Sequence, residues 1–137
     1  DMTRRLLAHV AAALAVVLCL SGCSKSASIG QEFVDGSLAI TVADSGCVVL
    51  GTDSSCVVRL QLVNKASAAV LFSSDWQQGR LANGESARIL TPVSVEIPAG
   101  PKRVSVLLNF AAGSSTLKSV VIRGTQRSKG TTVTLTK

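Results

Sequence analysis

The stretch VVRLQLVN, residues 57–64, decides the fold class of this chain. Val58, Leu60 and Leu62 alternate with polar residues, so an extended backbone places the apolar side chains on one face and the polar ones on the other. This period of two is typical of a half-buried β-strand and differs from the 3.6-residue period of a helix. The stretch therefore predicts a strand that faces a core.

The same alternation recurs along the rest of the chain. It covers Leu38 to Val42, Ala87 to Ile97, Val104 to Phe110, Val120 to Ile122 and Val133 to Leu135, with a weaker strand at Ala69 to Phe72. Turn-forming sequences such as ADSG, GTDSS and PAGPK separate these segments, and none after residue 23 sustains helical spacing. The pattern predicts an all-β fold, an immunoglobulin-like two-sheet antiparallel sandwich of about seven strands. Pro92 predicts a break, bulge or edge in the longest strand, because proline cannot donate to the ladder.

The amino terminus has the organisation of an export signal. Two arginines in MTRR, residues 2–5, precede the apolar run LLAHVAAALAVVLCL, residues 6–20, and small residues follow. This order is typical of a secretory signal peptide, here with a helical apolar region. The run is shorter than the ~20 residues needed to cross a bilayer, which disfavours the alternative of a permanent membrane helix.

The end of this signal resembles the lipobox of bacterial lipoproteins. Leu20, Ser21 and Gly22 supply a branched apolar residue and two small ones before Cys23. The resemblance implies diacylglycerol in thioether linkage to Cys23, cleavage of a signal peptide at residues 1–22, and loss of Cys19 with it. Several acyl chains on one residue anchor a protein stably to a membrane. The alternative is an ordinary secretory signal with an incidental cysteine.

The sequence after Cys23 divides into a tether and a domain. Residues 24–31, SKSASIGQ, are small and polar without periodicity, so residues 23–35 are predicted to be the lipidated cysteine and a flexible tether. Residues 36–137 are predicted to form the sandwich domain. The expected location is the bacterial cell envelope, outside the cytoplasm, with the lipid on Cys23 holding the domain to the membrane.

The two remaining cysteines predict a disulfide. Cys47 and Cys56 bracket VVLGTDSS, and export to an oxidising compartment favours their pairing. A metal pair or a reactive thiol is the alternative, but no histidine follows His9, so a metal site lacks ligands. No metal or cofactor is predicted. Trp76 follows both cysteines, which predicts a core plug or a rim contact and not the tryptophan of an antibody-type inter-sheet bridge.

Two longer segments carry a family resemblance. The runs VVRLQLVNKAS, residues 57–67, and LANGESARILTPVSVEIPAG, residues 81–100, are similar to an immunoglobulin-like domain of unknown function found in many bacterial lipoproteins. That domain resembles the class of the mycobacterial immunoprotective extracellular protein. The resemblance implies a β-sandwich and supplies no catalytic residues.

The polar residues exclude most catalytic chemistry. Without a histidine after signal cleavage, a Ser-His or Cys-His nucleophile system has no base. Seven carboxylates follow Cys23, but no spacing pairs two of them for acid and base roles. We therefore expect no enzymatic activity.

Positive charge is concentrated in the last third of the chain. After Cys23 there are twelve Lys and Arg against seven Asp and Glu, a net charge of +5, and no acid follows Glu96. The predicted anionic-partner patch comprises Lys102, Arg103, Lys118, Arg123, Arg127 and Lys129. Such a patch suits phosphate-bearing lipids or anionic wall polymers, and the alternative is a solvated surface that aids solubility. Nucleic acid is not expected, because aromatic stacking platforms are absent from the sequence.

Two functions follow as hypotheses. The first is a membrane-anchored lipoprotein that displays a β-sandwich binding or interaction module to an envelope protein or an anionic envelope polymer. The alternative is a structural or accessory envelope lipoprotein without a dedicated ligand.

Overall fold

A computed structural model describes residues 25–135. The signal peptide predicted at residues 1–22, its helix and the lipid attachment at Cys23 lie outside the described residues. Those residues form an all-β fold, as predicted, with one short 3-10 helix, η1, at Ser74–Trp76. Its strands are β1 (Lys25–Ser28), β2 (Glu32–Asp35), β3 (Leu38–Leu50), β4 (Asp53–Asn64), β5 (Val70–Ser73), β6 (Gln78–Leu81), β7 (Ser86–Ile89), β8 (Ser94–Ile97), β9 (Gly100–Gly113), β10 (Leu117–Ile122) and β11 (Thr131–Thr134).

Nine of these strands form one large sheet that is nearly closed into a barrel. Its order is β1-β11-β10-β6-β7-β9-β4-β3-β2, and β5 and β8 form a separate two-stranded sheet. All pairings are antiparallel except that of β1 with β11, so the sheet is mixed and not purely antiparallel. The described residues hold eleven strands, and the predicted count of about seven is wrong. Two of the additional strands, β1 and β2, lie before residue 36. Another arises because the alternating pattern from Ala87 to Ile97 forms two strands, β7 and β8, and not one.

The decisive stretch lies in β4, at the centre of the three longest strands. β4 pairs with β3 along its whole length on one side and with β9 on the other. The inward side chains of these strands are fully buried: Ile40, Val42, Val58, Leu60, Leu62, Leu108 and Phe110. Burying each such side chain contributes about 1.5–3 kcal/mol, so the alternation of period two makes the core of the fold.

The β3–β4 hairpin is longer than the sequence predicts. The ADSG segment, expected to be a turn, continues β3, because a register shift between Val42 and Asp44 accommodates one extra residue as a bulge. The chain turns at Gly51 and Thr52, since Leu50 pairs directly with Asp53. Gly51 has a φ of 66°, the left-handed conformation that a two-residue hairpin turn requires.

A disulfide links the two strands of this hairpin. Cys47 and Cys56 are direct partners in the β3–β4 register and are covalently joined, which confirms the predicted pair. Cys56 is buried in the core, whereas Cys47 is exposed. The bond lies within one hairpin and therefore fixes its two strands to each other, contributing on the order of 2.5 kcal/mol through the unfolded state.

Residues 25–35 are folded, which corrects the predicted flexible tether. β1 and β2 occupy this segment, Ala27 is buried, and Ile29 and Phe33 pack against the core. The short polar run of β1 forms a strand because backbone hydrogen bonding to β11 orders it, not an apolar side-chain pattern. The boundary predicted at residue 36 is therefore wrong, and the folded unit includes the chain from Lys25.

A tight turn carries the chain from one edge of the large sheet to the other. The Gln31 backbone N–H donates to the Ser28 carbonyl at 3.1 Å, and the Ser28 N–H donates to the Gln31 side chain at 3.0 Å. The Gly30 N–H donates to the Val42 carbonyl on β3 at 2.8 Å. β1 and β2 thus lie on opposite edges although only three residues separate them, and this crossing brings the edges together.

The longest alternating segment breaks at Pro92, as predicted. β7 ends at Ile89 and β8 begins at Ser94. β7 belongs to the large sheet, where its first half pairs with β6 and its second half with β9. β8 pairs instead with β5, the weaker predicted strand, in the small sheet.

A glycine in β6 provides a test of how closely the core is packed. A Cβ at Gly79 would lie 2.8 Å from the Phe110 ring and 3.0 Å from a methyl group of Leu117. We expect Gly79→Ala to lower the free energy of unfolding by about 1–3 kcal/mol, measured by denaturant unfolding, because an extra methyl overpacks the core. Gly46→Ala is the matched control, since nothing lies within 4 Å of a Cβ there. Equal stability of the two variants would contradict this packing.

Candidate functional site

The two ends of the large sheet differ in their connections. The loop end carries Lys25 and the β10–β11 loop, residues 123–130, because Lys25 and Ile122 are both register partners of Thr131. The hairpin end carries the β3–β4 turn and the connection from β9 to β10. β3 runs between the two ends over 13 residues, about 40 Å along the strand, whereas β10 runs between them over six residues, about 17 Å along the strand.

The structure divides the predicted basic patch between these ends. Lys102 and Arg103 begin β9 beside the end of β4, and Arg127 and Lys129 lie in the β10–β11 loop. All four are exposed at the loop end. Lys118 lies next to Leu117, which pairs with Leu81, and so belongs to the hairpin end. Lys118 is therefore set apart along β10 from the other cations of the predicted patch.

Arg123 is a structural residue and not a free anion-binding group. It is half-buried, and its Nε donates to the Ser128 carbonyl and its Nη1 to the Trp76 carbonyl, each at 2.9 Å. Nη2 also donates to the Gln78 side chain at 3.4 Å. The guanidinium thus holds the β10–β11 loop against η1, in which Trp76 is half-buried.

Gln77 completes the attachment of the loop to η1. Its side chain is buried, and Nε2 donates to the carbonyls of Ser73 and Arg123 at 2.9 Å. Its Oε1 accepts from the Arg123 backbone N–H at 2.6 Å. Sequence reasoning missed this residue, because nothing in the polar run DWQQG distinguishes Gln77 from the exposed Gln78.

The β10–β11 loop also packs against the β2–β3 turn. A Cβ at Gly124 would lie 2.2 Å from the Asp35 carbonyl oxygen, so only glycine permits this approach. The Ser128 hydroxyl donates to the Asp35 carboxylate, and its oxygen accepts from the Gly130 N–H at 2.9 Å. These contacts fix Arg127 and Lys129, on either side of Ser128, at the loop end.

A pocket of about 400 Å³ lies beside the same end of the sheet. Lys65, Arg103 and Glu32 bring two positive charges and one negative charge to its wall. Its other lining residues are Val63, Asn64, Ala66, Gly100 and Pro101. The lining contains no hydroxyl, thiol or imidazole, and the pocket offers charged side chains and backbone groups as contacts to a ligand.

Asn64 is the buried polar residue of this pocket, and its side chain is fully engaged. Nδ2 donates to the carbonyls of Ala68 and Ile97, both at 2.9 Å, and Oδ1 accepts from the Ala66 N–H at 2.9 Å. The amide therefore ties the end of β4 to β8 and shapes the wall of the pocket. It has no remaining donor for a ligand.

The remaining charged groups within residues 25–135 were compared with the arrangement that a metal ion requires. Residues 25–135 contain no group of three or more His, Cys, Asp or Glu side chains placed to hold a metal ion. Arg59 and Asp44 form an exposed ion pair on the outer part of the β3–β4 hairpin. The hydrogen bond to Asp44 and the charge of its carboxylate raise the pKa of Arg59, so the guanidinium stays protonated.

The hairpin end presents apolar side chains to solvent. Val48, Val49 and Leu50 are 60%, 69% and 69% exposed, directly before the turn. β2 pairs only with residues 38–41 of β3, so the outer edge of β3 beyond Val42 has no partner strand among the described residues. The disulfide at Cys47 and Cys56 lies next to this tip.

Comparison with known proteins supplies no relative. No family model, no curated protein and no solved structure matches the chain. Within residues 25–135, no helix has the length and apolar character needed to cross a membrane.

Loss of the Gln77 side chain tests how the loop is attached. Gln77→Ala leaves the Ser73 and Arg123 carbonyls and the Arg123 N–H without partners, so we expect the free energy of unfolding to fall by about 2–4 kcal/mol. Denaturant unfolding measures this change. Gln126→Ala, at an exposed position of the same loop, is the control and should be neutral. Equal stability of the two variants would show that the Gln77 hydrogen bonds do not hold the loop.

Proposed function

We propose that this chain is a membrane-anchored extracytoplasmic lipoprotein that displays an all-β binding module. The carrying observation is the position of Lys25, which lies at the loop end and two residues after Cys23. Consecutive Cα atoms are 3.8 Å apart, so the Cys23 Cα lies within about 7.6 Å of the Lys25 Cα. A lipid on Cys23 would thus hold the loop end close to the membrane and direct the hairpin end away from it.

The likeness of residues 20–23 to a lipobox supports the anchor. Each buried methylene contributes about 0.8 kcal/mol, and two or three acyl chains on one residue give stable attachment where a single chain does not. Because Lys25 is already paired in β1 two residues after Cys23, a lipid on Cys23 would leave the domain little length of chain with which to move away from the surface. The predicted long tether would have allowed the domain to turn over, whereas this short connection restricts it.

The shape of the fold is proposed to be an immunoglobulin-like sandwich of two layers. One layer is β1-β11-β10-β6 and the other is β9-β4-β3-β2, and within the large sheet they meet only through β7. Strands that pass from one sheet to another in this way form the corners of packed sheets. In this arrangement β3 and β4 form a hairpin within one layer. This differs from the strand order of constant-type immunoglobulin domains, whose second and third strands lie in different sheets.

The hairpin end supports a binding role. An exposed sheet edge can accept a strand from a partner, with backbone hydrogen bonds providing affinity and side-chain contacts providing specificity. The outer edge of β3 offers such hydrogen bonds, and Val48 and Leu50 project from it to one side. Exposed apolar groups next to an unpaired edge favour a protein of the envelope as the partner. No catalytic role is proposed.

The anchor is tested by removing the lipid attachment. We expect Cys23→Ala to abolish incorporation of a labelled fatty acid and to move the chain out of the detergent phase, because Cys23 carries the acyl chains. Metabolic labelling and detergent partition measure both effects. Cys19→Ala, four residues earlier, is the matched control and should keep full labelling. Labelling that survives Cys23→Ala, or that is lost in Cys19→Ala, would contradict the proposed anchor.

The binding role is tested by cross-linking in living cells and mass spectrometry. We expect one reproducible envelope protein as the partner, and Val48→Lys to lower its yield about tenfold, since a charge on an edge strand blocks pairing and tenfold corresponds to about 1.4 kcal/mol. Val34→Lys is the matched control, because Val34 is 55% exposed on β2. Failure to capture any partner would reject the binding role in favour of an accessory lipoprotein without a ligand. A partner lost only in Val34→Lys would reject the hairpin end as its site.

A further inference from the structure

We infer that the loop end docks on the headgroups of an anionic phospholipid bilayer and so fixes the orientation of the domain. Six exposed cations from four separate segments meet at this end: Lys25, Lys65, Lys102, Arg103, Arg127 and Lys129. This inference deepens the proposed function, because the lipid on Cys23 would bring the surface to the membrane. It names a second contact, made by side chains, which the anchor alone does not supply.

The register places these cations together although they are far apart in sequence. Lys25 opens β1, and Arg127 and Lys129 follow β10, at the same end of neighbouring strands. Lys65 follows β4, and its N–H donates to the Ser37 carbonyl at 2.8 Å, beside the β2–β3 turn that the β10–β11 loop contacts. Lys102 and Arg103 begin β9, which pairs with the end of β4.

Carboxylates at this end reduce the charge but do not cancel it. They are Glu32, Asp35, Asp75 and Glu96, and Asp35 accepts a hydrogen bond from the Ser128 hydroxyl. With Arg123 included, the loop end has seven cations and four carboxylates, a net charge of +3. The rest of residues 25–135 has four cations and three carboxylates, a net charge of +1. The positive field is therefore strongest where the chain leads to Cys23.

The distance of each end of the sheet from the membrane determines how strongly the membrane charge attracts it. Electrostatic attraction to a surface falls off within about 8–10 Å at physiological ionic strength. The Cys23 Cα lies within about 7.6 Å of the Lys25 Cα, which keeps Lys25, the cation of the loop end nearest in sequence to the anchor, inside this range. The hairpin end, about 40 Å away along β3, lies well outside it. Each cation near an anionic surface contributes about a fivefold factor to binding, so a few suffice to bias the orientation.

Trp76 reports docking directly, because it is the single tryptophan and lies at the loop end. It is half-buried, and its carbonyl accepts from Arg123. The experiment incorporates the full chain, purified from membranes, into vesicles of brominated phosphatidylcholine with or without phosphatidylglycerol. Bromine quenches tryptophan fluorescence only at short range. We expect strong quenching with phosphatidylglycerol, weak quenching without it, and loss of quenching when salt is raised.

Two matched variants separate the loop end from general charge. Arg103→Gln, Arg127→Gln and Lys129→Gln together should weaken docking about a hundredfold, because three cations are removed. Arg59→Gln, Arg88→Gln and Lys118→Gln together also remove two Arg and one Lys, all exposed and away from the loop end, and should leave quenching unchanged. The exposed positions preserve the fold, and the emission spectrum of Trp76 in detergent checks this in both variants.

Flotation of the vesicles in the same samples distinguishes failure of the docking from failure of the anchor. Chains that float with both lipid mixtures but show no added quenching with phosphatidylglycerol would overturn the docking and leave the anchor intact. Chains that float only with phosphatidylglycerol, with Trp76 quenched, would support the docking and overturn the anchor. Equal loss of quenching in the two triple variants would overturn the assignment to the loop end. Loss of a cross-linked protein on changing the loop-end cations, with quenching retained, would assign them to a protein and overturn the docking.

Discussion

The parallel pairing of β1 with β11 is the constraint on which the arrangement of this protein depends. Four residues from Lys25 to Ser28 add to the edge of the large sheet beside the last strand. This pairing fixes Lys25 at the loop end and makes the following turn cross to the opposite edge. If β1 were free, the folded unit would begin near Glu32, and the loop end would have no fixed distance from Cys23.

The sequence predicts those parts of the fold in which side chains determine the structure. The alternating stretches gave the all-β class and the strands of the core, Pro92 gave the break between β7 and β8, and the compartment implied by the signal gave the disulfide between Cys47 and Cys56. The strands follow from a period of two, and the break follows from the missing N–H of proline. The disulfide follows from the oxidising compartment that the predicted signal implies.

The remaining features depend on pairing between segments that are distant in the chain. β1 is polar and without alternation, so its strand is visible only when β11 supplies hydrogen bonds to its backbone. The cations near the end of the sequence look like one group, but the register places Lys118 about a strand length from Lys102. Gln77 likewise does not differ in the sequence from the other glutamines, and its role depends on the fold, which places the Arg123 backbone beside it.

The basic loop end and the apolar hairpin tip are both consequences of the same arrangement of strands. The β10–β11 loop carries Arg127 and Lys129, and it is held by Arg123, Gln77 and Asp35 rather than left mobile, so its cations have a defined position. The core strands then separate this basic end from the apolar hairpin tip by the full length of β3. We propose the first end as the contact with anionic headgroups and the second as the contact with a protein partner.

Amide hydrogen exchange of β1 in the full chain tests the central claim most directly. The account predicts that the backbone N–H groups of Lys25–Ser28 that face β11 exchange slowly, with protection comparable to that of β11 itself, because both strands share one ladder. Exchange of these amides at the rate of an unstructured peptide, with β11 still protected, would show that β1 is not part of the sheet. That result would contradict the fixed position of Lys25 at the loop end.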